Sequence, residues 1–526
     1  MMPTSTMPTF AALWSDSVQR YAKHPFLLFH DREGSVTEWS YEAFGHVVDD
    51  TAATLTAAGV GPGSAIHVCL RNSPGFIAVW LAAAKLGAWI IPVDPASSPR
   101  DIATQVARVR PVVGVCAAQH AAVYREGIAD FGPLPVLELD ESASDVQRPA
   151  GVLVAPLPGE SDDDGQRLSG AAVVQPDERL AVMFTSGTTS QPKGVVLTQE
   201  NYRVVASEMA EAAGLMAGHR WFVTLPLFHA NAQFYCFASA IERGASVALT
   251  ATFSASRWIT QARALGVTHA SLFAAPIRMI LAKTSPGTEP LSLKHVWFAQ
   301  NLGEQHHTEF GALAGVLPRQ LYGMTETLAV VTYDRSQPAK AQEIGKPLGG
   351  RTVRLVAPGT LDDVERGTPG VMAVQGTPGR DIFACYLDDP ETTARTLIRD
   401  PKGQTWLMTG DLAVSDEQGA LSFVGRVDDV IKVSGENVSL TEVEAVLAQA
   451  PGVLEVAVVA VDDPVRDVVP HAYLVPKDPT LPLETERIAE WAAANLAPAA
   501  RPREWHVIDE LPRTSVGKVR RFKVGA

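Results

Sequence analysis

Five short stretches place hydroxyl, carboxylate and cationic side chains where phosphate chemistry could use them. In MFTSGTTSQPKGV (183–195), two apolar β-like runs flank a loop rich in hydroxyls, with Gly187, Gly194 and Lys193. Such a loop can present successive N–H groups and hydroxyls to phosphate oxygens while the lysine adds charge. Its order is not that of a Walker A loop, which needs lysine directly after glycine and then Ser or Thr. The plainer reading is a polar hairpin turn. LYGMTET (321–327) carries Thr325 and Glu326, a pair suited to a phosphate and a hard cation or, more plainly, to a helix N-cap. TGDLA (409–413) offers Asp411, a hydroxyl acceptor or part of an ordinary Gly-Asp turn. GRVDDVIKVSGENVSLTEVE (425–444) brings Arg426 and Asp428, residue types that loops usually leave solvated. LPRTSVGKVRR (511–521) brings Lys518, either a placed cation or a tail residue.

The elements that must carry these groups alternate in kind. VTEWSYEAF, an Ala-rich helix near 46–58, AIHVCL, FIAVWLAAAKLG and AWIIPV succeed one another before residue 94, which points to an α/β layered unit. LPGESDDDGQRLSG (157–170) is acidic, Gly/Ser-rich and aperiodic, and reads as an exposed linker between subdomains. A second α/β stretch follows, with apolar runs at 180–184, 221–227, 245–250 and 269–275. Residues 341–424 hold Gly-rich turns and short strands, a β-rich subdomain. After Gly425, SLTE (439–442) reads as a capping box opening a helix through Gln449. VLEVAVVAV, HAYLVP and a helix near 484–496 complete a compact α+β unit. The expected fold is therefore α/β: a large N-terminal domain (1–424) of two α/β layered subdomains plus a β-rich one, and a small α+β C-terminal domain (425–526).

Composition limits the partners. The net charge of −14 argues against nucleic acid, whose phosphates need clustered Lys and Arg. Any polyanionic substrate must be held locally. Cys69, Cys116, Cys236 and Cys385 show no CxxC pair and no histidine at zinc spacing, which suits a reducing compartment and neither a disulfide framework nor a structural metal site. MMPTSTMPTF has no basic or apolar leader character, so a cytoplasmic location is expected. The most apolar window, Phe76 to Val93, contains Lys85, Gly87 and Pro92 and reads as a buried helix ending at Gly87 followed by a strand, with no membrane span.

Taken in order, the five motifs resemble those of the ANL superfamily of adenylate-forming enzymes: acyl-CoA synthetases, peptide-synthetase adenylation domains and luciferases. The resemblance covers nearly the whole chain. It implies ATP, Mg²⁺ and, for a CoA ligase, coenzyme A. Thr185, Ser186, Gly187, Thr188, Thr189 and Lys193 would then form the phosphate loop. Tyr322 would stack on adenine beside Gly323, Thr325 would meet the α-phosphate, and Glu326 would hold the metal. Asp411 would take the ribose hydroxyls and Arg426 ribose or phosphate oxygens. Asp428 would be the hinge of a mobile C-terminal domain, and Lys518 the catalytic cation of the first half-reaction. Ser190 stands where most members have glycine, and Ala299-Gln300-Asn301 stands in place of the usual Gly-Gly-Ala of the adenine segment, where the resemblance implies that Gln300 and Asn301 would border the nucleotide. Both features, with GTPGRDIFACYLDDPETTARTL (376–397), resemble the crotonobetaine/carnitine-CoA ligase branch. LPLFHANAQF (225–234) lies where the family lines its acyl channel, so His229, Asn231 and Phe234 join Met324 and Leu328 as pocket candidates. His229 has either a packing and gating role or a proton-exchanging one.

The expected activity is ATP-dependent activation of a small carboxylic acid as acyl-AMP, with release of pyrophosphate and transfer to coenzyme A. The same motifs fit transfer to a carrier-protein thiol or an amine, or activation of nitrite for coupling to an aryl amine. A non-catalytic binding relative is the reading from another class, and intact Lys193, Glu326, Asp411, Arg426 and Lys518 oppose it. VSGENVS (433–439) resembles a turn beside the pantetheine tunnel, with Gly435 at its tip, and the basic run Lys518, Arg520, Arg521, Lys523 could steer an anionic partner or be a solvated tail.

Overall fold

The run PGFIAVWLAAAKL has no polar face, and in the computed structural model it forms the helix Pro74–Leu86, buried along nearly its whole length. Ser73 caps it by accepting the Phe76 N–H, Pro74 occupies its first turn, and Gly87 ends it at φ 66°, a left-handed conformation that suits glycine. The strand Trp89–Pro92 follows. The structure describes residues 8–146, 173–185, 192–328, 330–433, 436–463, 467–478, 480–513, 519 and 521–525. Among them no helix is long and apolar enough to cross a membrane.

Two large sheets share the main core. In the seven-stranded sheet the order is Cys385–Tyr386, Lys193–Thr198, Arg179–Thr185, Trp89–Pro92, Ala65–Cys69, Val113–Ala117, Val136–Leu139. Its last five strands run parallel, and the first two are antiparallel additions. The nine-stranded sheet runs Lys346–Pro347, Thr332–Tyr333, Arg319–Tyr322, His295–Ala299, His269–Phe273, Arg220–Val223, Ser246–Thr250, Pro25–His30, Val36–Ser40. Six of these are parallel, with antiparallel strands at both edges. Buried residues of both sheets and of the helices Phe10–Arg20, Tyr41–Ala57, Pro74–Leu86 and Gln199–Ala212 form one contiguous cluster, so these helices fill the space between the layers.

The division of the α/β layers differs from the sequence reading. Ile90 pairs with Ala181, and Pro25–His30 lies parallel to Ser246–Thr250, so each sheet takes strands from both sides of 157–170. A parallel neighbour can come from any distance along the chain through a crossover, and local composition does not reveal it. Residues 157–170 themselves lie outside the described residues. VTEWS is an edge strand, and the helix starts at Tyr41 behind the Ser40 cap.

Two smaller antiparallel sheets follow. Val353–Val356, Gly370–Gln375, Thr405–Ser415 and Leu397–Arg399 form one, with Leu421–Arg426 also paired on Thr405–Ser415. The last is Glu436–Ser439, Val430–Val433, Asp467–Pro476, Val453–Asp463, with Glu504–Val507 parallel to Asp467–Pro476. The helices Leu440–Leu447 and Thr485–Asn495 pack on it around their own core. Ser439 caps the first by accepting the Glu442 N–H, but among the described residues no return bond closes a capping box, and the helix stops at Leu447 rather than Gln449. Ser439 is also the last residue of a strand and donates its hydroxyl to the Val424 carbonyl, so it is tied to the chain before it.

Candidate functional site

Three segments far apart in sequence meet at the end of the strand Arg319–Tyr322. Beyond Gly323 and Met324 the chain makes a 3₁₀ turn, Thr325–Thr327. The Thr327 hydroxyl accepts the Met324 N–H, the Thr327 N–H donates to the Met324 carbonyl, and the Leu328 N–H to that of Thr325. This tight winding buries Glu326 and leaves Leu328 at φ 61°, a left-handed backbone held inside the core. A leucine there is strained, and such strain persists only where the surroundings over-determine it.

The second segment is Cys385–Tyr386. Tyr386 pairs in register with Val195, and the Leu387 N–H donates to the Gly194 carbonyl, which sets Tyr386 beside the foot of the hairpin 179–198. The Phe383 N–H donates to the Glu326 carbonyl, docking the same segment on the turn. In consequence the Tyr386 hydroxyl donates to Glu326 Oε1 at 2.8 Å, while Lys193 Nζ stands over the Tyr386 ring, 5.3 Å from its centroid. Burial raises the Glu326 carboxyl above the ordinary carboxylate range; the Tyr386 hydroxyl, Lys193 and Arg426 pull it back only in part. Burial, reinforced by the Glu326 charge, likewise raises the Tyr386 phenol.

The third segment is the hairpin Thr405–Ser415 and Leu421–Arg426, where Asp411 and Arg426 are cross-strand partners. Tyr322 donates its hydroxyl to Asp411 Oδ2 at 2.6 Å, and Arg426 Nε lies 3.6 Å from Oδ1. The Asp411 N–H donates to the Thr409 hydroxyl, which donates to the Met372 carbonyl. Tyr322 and Asp411 are buried, and Arg426 reaches outward. Burial first, and the Asp411 charge second, raise the Tyr322 phenol well above its ordinary value. The Tyr322 ring lies near-parallel to Phe423, centroids 6.2 Å apart.

The remaining residues flank this junction. Thr185 pairs with Lys193 at the neck of the hairpin; Ser186, Gly187, Thr188, Thr189 and Ser190 lie outside the described residues. Gln300, just past the strand His295–Ala299, is exposed at φ 74°, a backbone that glycine adopts without cost, and its carbonyl accepts from Gln320. Asn301 is exposed and accepts the Gly303 N–H on its side chain. His229 is half-buried with its ring against Phe228. Asn231 begins a π-helical stretch, Asn231–Ala238, a winding frequent at functional sites. It donates to the Ser271 hydroxyl, while its side-chain oxygen is buried without a hydrogen-bond partner among the described residues. Phe234 is fully buried, edge-on to Tyr202. Met324 is half-buried.

Asp428 sits in the 3₁₀ turn Val427–Asp429 that joins Arg426 to the last sheet. Lys518, Arg520 and Gly435 lie outside the described residues. Arg521 is not a solvated tail cation: it forks onto Glu444 and also meets Asp429 Oδ2 at 2.5 Å, tying the C-terminal segment to the turn beside Asp428. The neighbouring sequence carried no sign of these acidic partners, because they come from a helix 77 residues earlier and from a turn farther back still. The role of Tyr386 is equally hidden in the sequence. A single tyrosine before two aspartates is unremarkable in sequence, and only its antiparallel pairing with Val195 brings it to Glu326 and Lys193.

Residues 14–387 match the family model described as AMP-binding enzyme, and residues 442–518 that described as AMP-binding enzyme C-terminal domain. A crotonobetaine/carnitine–CoA ligase of Citrobacter koseri is 28% identical over 514 residues, 96% of this chain and 97% of the relative. An anthranilate CoA ligase, AuaEII, solved with anthranoyl-AMP, superposes with a TM-score of 0.85 at 22% identity, covering 99% of this chain and 97% of its own. ATP-bound MatB from Rhodopseudomonas palustris superposes with a TM-score of 0.82 at 22% identity, covering 98% of both chains.

Proposed function

The chain belongs to the AMP-binding enzyme family and is an adenylate-forming ligase, and from that premise we propose that it activates a small carboxylic acid with ATP and transfers the acyl group to coenzyme A. The observation that carries this reading is the junction of Glu326, Tyr386 and Lys193 beside the Tyr322–Asp411–Arg426 line.

In the first step a substrate carboxylate oxygen attacks the α-phosphorus of ATP, the new P–O bond forms, and the bond to pyrophosphate breaks. No general base is needed, because the acid is already ionised at neutral pH. The task is to bring two anions together in line and to offset the charge that gathers on the phosphoryl oxygens. Lys193, the N–H groups and hydroxyls of the 185–189 loop, Thr325 and Lys518 do this. Asp411, with one oxygen fixed by Tyr322, takes the ribose hydroxyls, and Arg426 approaches the same sugar or the phosphate. Gln300, Asn301, Tyr322 and Gly323 border the adenine.

Glu326 is a buried hard-oxygen donor whose charged form burial disfavours, a setting that a divalent cation relieves. Mg²⁺ held there supplies Lewis-acid stabilisation of the phosphoryl oxygens when bound. Tyr386 holds the carboxylate in one orientation for that duty.

His229, Asn231, Met324 and Leu328 border the acyl pocket, with Phe234 supporting it from the core. The partnerless oxygen of Asn231 suits a donor group on the acid. For the second step, residues 425–526 turn about Asp428 relative to 1–424. Lys518 leaves, and the thiol sulfur attacks the acyl carbon along a path past Gly435. Its proton is lost as the acyl–phosphate bond breaks and AMP departs.

Release of pyrophosphate and AMP, measured with a panel of small acids with and without CoA, tests this. One acid should drive pyrophosphate release, and CoA should speed AMP release with that acid. If no acid does so, or if an amine or carrier-protein thiol replaces CoA, the proposal is wrong in its first or second half respectively.

A further inference from the structure

The sheet that closes the chain carries a second cluster of chemistry-bearing side chains, unrelated to the junction around Glu326. The strands Asp467–Pro476 and Glu504–Val507 run parallel, with His471 opposite Glu504 and Tyr473 opposite His506. Side chains two apart on a strand share a face, so His471, Tyr473, Glu504 and His506 stand together. The alternate residues Ala472 and Leu474 are buried in the core on the other face, where Trp505 also packs.

Glu504 Oε2 lies 3.5 Å from His471 Nδ1 and 3.4 Å from His506 Nε2. The three ligand atoms are all within 4.8 Å of one another. These separations are long for N–H···O hydrogen bonds, and His506 Nε2 is buried without a hydrogen-bond partner among the described residues. The two carboxylate–imidazole separations match another geometry. Donors about 2.0 to 2.1 Å from a tetrahedral zinc ion stand roughly 3.3 to 3.4 Å apart. The Tyr473 ring stacks on His506 at 4.4 Å between centroids and 21° between planes, which limits rotation of that imidazole. Glu504 is largely exposed, giving an ion a path in and a fourth position for water.

From this, the geometry points to His471, Glu504 and His506 as a binding site for a single divalent transition-metal ion of the zinc class. Two imidazoles and one carboxylate suit zinc and its neighbours rather than magnesium or calcium, which prefer oxygen donors alone. The ion would cross-link Glu504–Val507 to Asp467–Pro476. Cysteine spacing carries no sign of such a site, because no cysteine takes part. Tyr473 also packs beside Val524 in a small cluster with Leu511, so the cross-link would brace the strand against which the C-terminal segment lies.

The test uses the full chain, freed of any affinity tag and stripped with chelator. Titration with Zn²⁺ should show one saturable site, Co²⁺ should give the intense visible bands of a tetrahedral complex, and Zn²⁺ should raise the melting temperature. Glu504→Gln, at an exposed position, and His506→Gln should each weaken binding at least about tenfold, the scale of losing a supporting group or more. Each should also abolish the rise in melting temperature while leaving the metal-free melting temperature near that of the wild type. If His506→Gln does not fold, Glu504→Gln decides alone. Absence of saturable binding, or unchanged affinity in the variants, overturns the site and assigns any bound ion to the other histidines.

Discussion

Glu326 and Asp411 are both buried carboxylates at one junction, and they are held in opposite ways. Asp411 lies on a regular hairpin, with the Tyr322 hydroxyl on one oxygen, Arg426 opposite the other, and its own N–H fixed through Thr409. Glu326 lies on a tight 3₁₀ turn next to a strained leucine, with a neutral phenol hydrogen-bonded to its carboxylate and Lys193 over the ring of that phenol. Burial therefore leaves Glu326 with a raised pKa. A carboxylate already supplied with a cation is suited to accept hydrogen bonds from hydroxyls. One whose burial is compensated only in part is suited to receive a cation. The same residue class is thus prepared for two tasks by its neighbours alone.

Removing the charge from Glu326 should have the largest effect. Glu326→Gln keeps the shape of the side chain but not its charge, and should lower the rate of acid-dependent pyrophosphate release by about 3 to 4 kcal/mol, roughly 100- to 1,000-fold. Restoring activity with higher Mg²⁺ should fail or be weak. A rate within about threefold of wild type, under 1 kcal/mol, would remove Glu326 from the metal role and erase the contrast with Asp411.

Asp411→Asn should act on binding. Its oxygen can still accept from Tyr322, but the bonds to ribose lose their charge, worth about 1.5 to 3 kcal/mol. KM for ATP should rise roughly 10- to 150-fold by that figure, with kcat changed much less. A fall in kcat equal to that of Glu326→Gln would show that the two carboxylates share one duty.

Tyr386→Phe should have the smallest effect and the most telling pH dependence. The lost hydrogen bond favours the charged form of Glu326, so without it the carboxyl pKa, already raised by burial, rises further. The acid limb of the kcat/KM profile should move to higher pH, and activity at its plateau should fall by about 1 kcal/mol. A limb that stays in place, or moves to lower pH, would mean that Tyr386 does not tune Glu326.

This contrast was only half legible in the sequence. Thr325-Glu326, Asp411 and Arg426 stand in short ordered motifs, and the elements around them follow local rules: Ser73, Pro74 and Gly87 delimit one helix as their types suggest. What decides the state of Glu326 is a tyrosine 60 residues away, brought in by antiparallel pairing with Val195. Such pairing depends on long-range register, which no window of residues contains. The grouping of strands into sheets failed to show for the same reason, since Pro25–His30 finds its parallel neighbour at Ser246–Thr250. The tie from Arg521 to Glu444 and Asp429 is a further long-range contact, hidden inside what reads as a basic tail.

The most direct measurement is isotope exchange between pyrophosphate and ATP with the cognate acid and no CoA. Reversible formation of an acyl-AMP requires exchange that depends on the acid, proceeds without CoA, and is lost in Lys518→Ala, while that variant still converts supplied acyl-AMP with CoA. Exchange that is absent without CoA despite normal overall turnover would contradict adenylate formation at this site, and exchange that survives in Lys518→Ala would remove Lys518 from the first half-reaction.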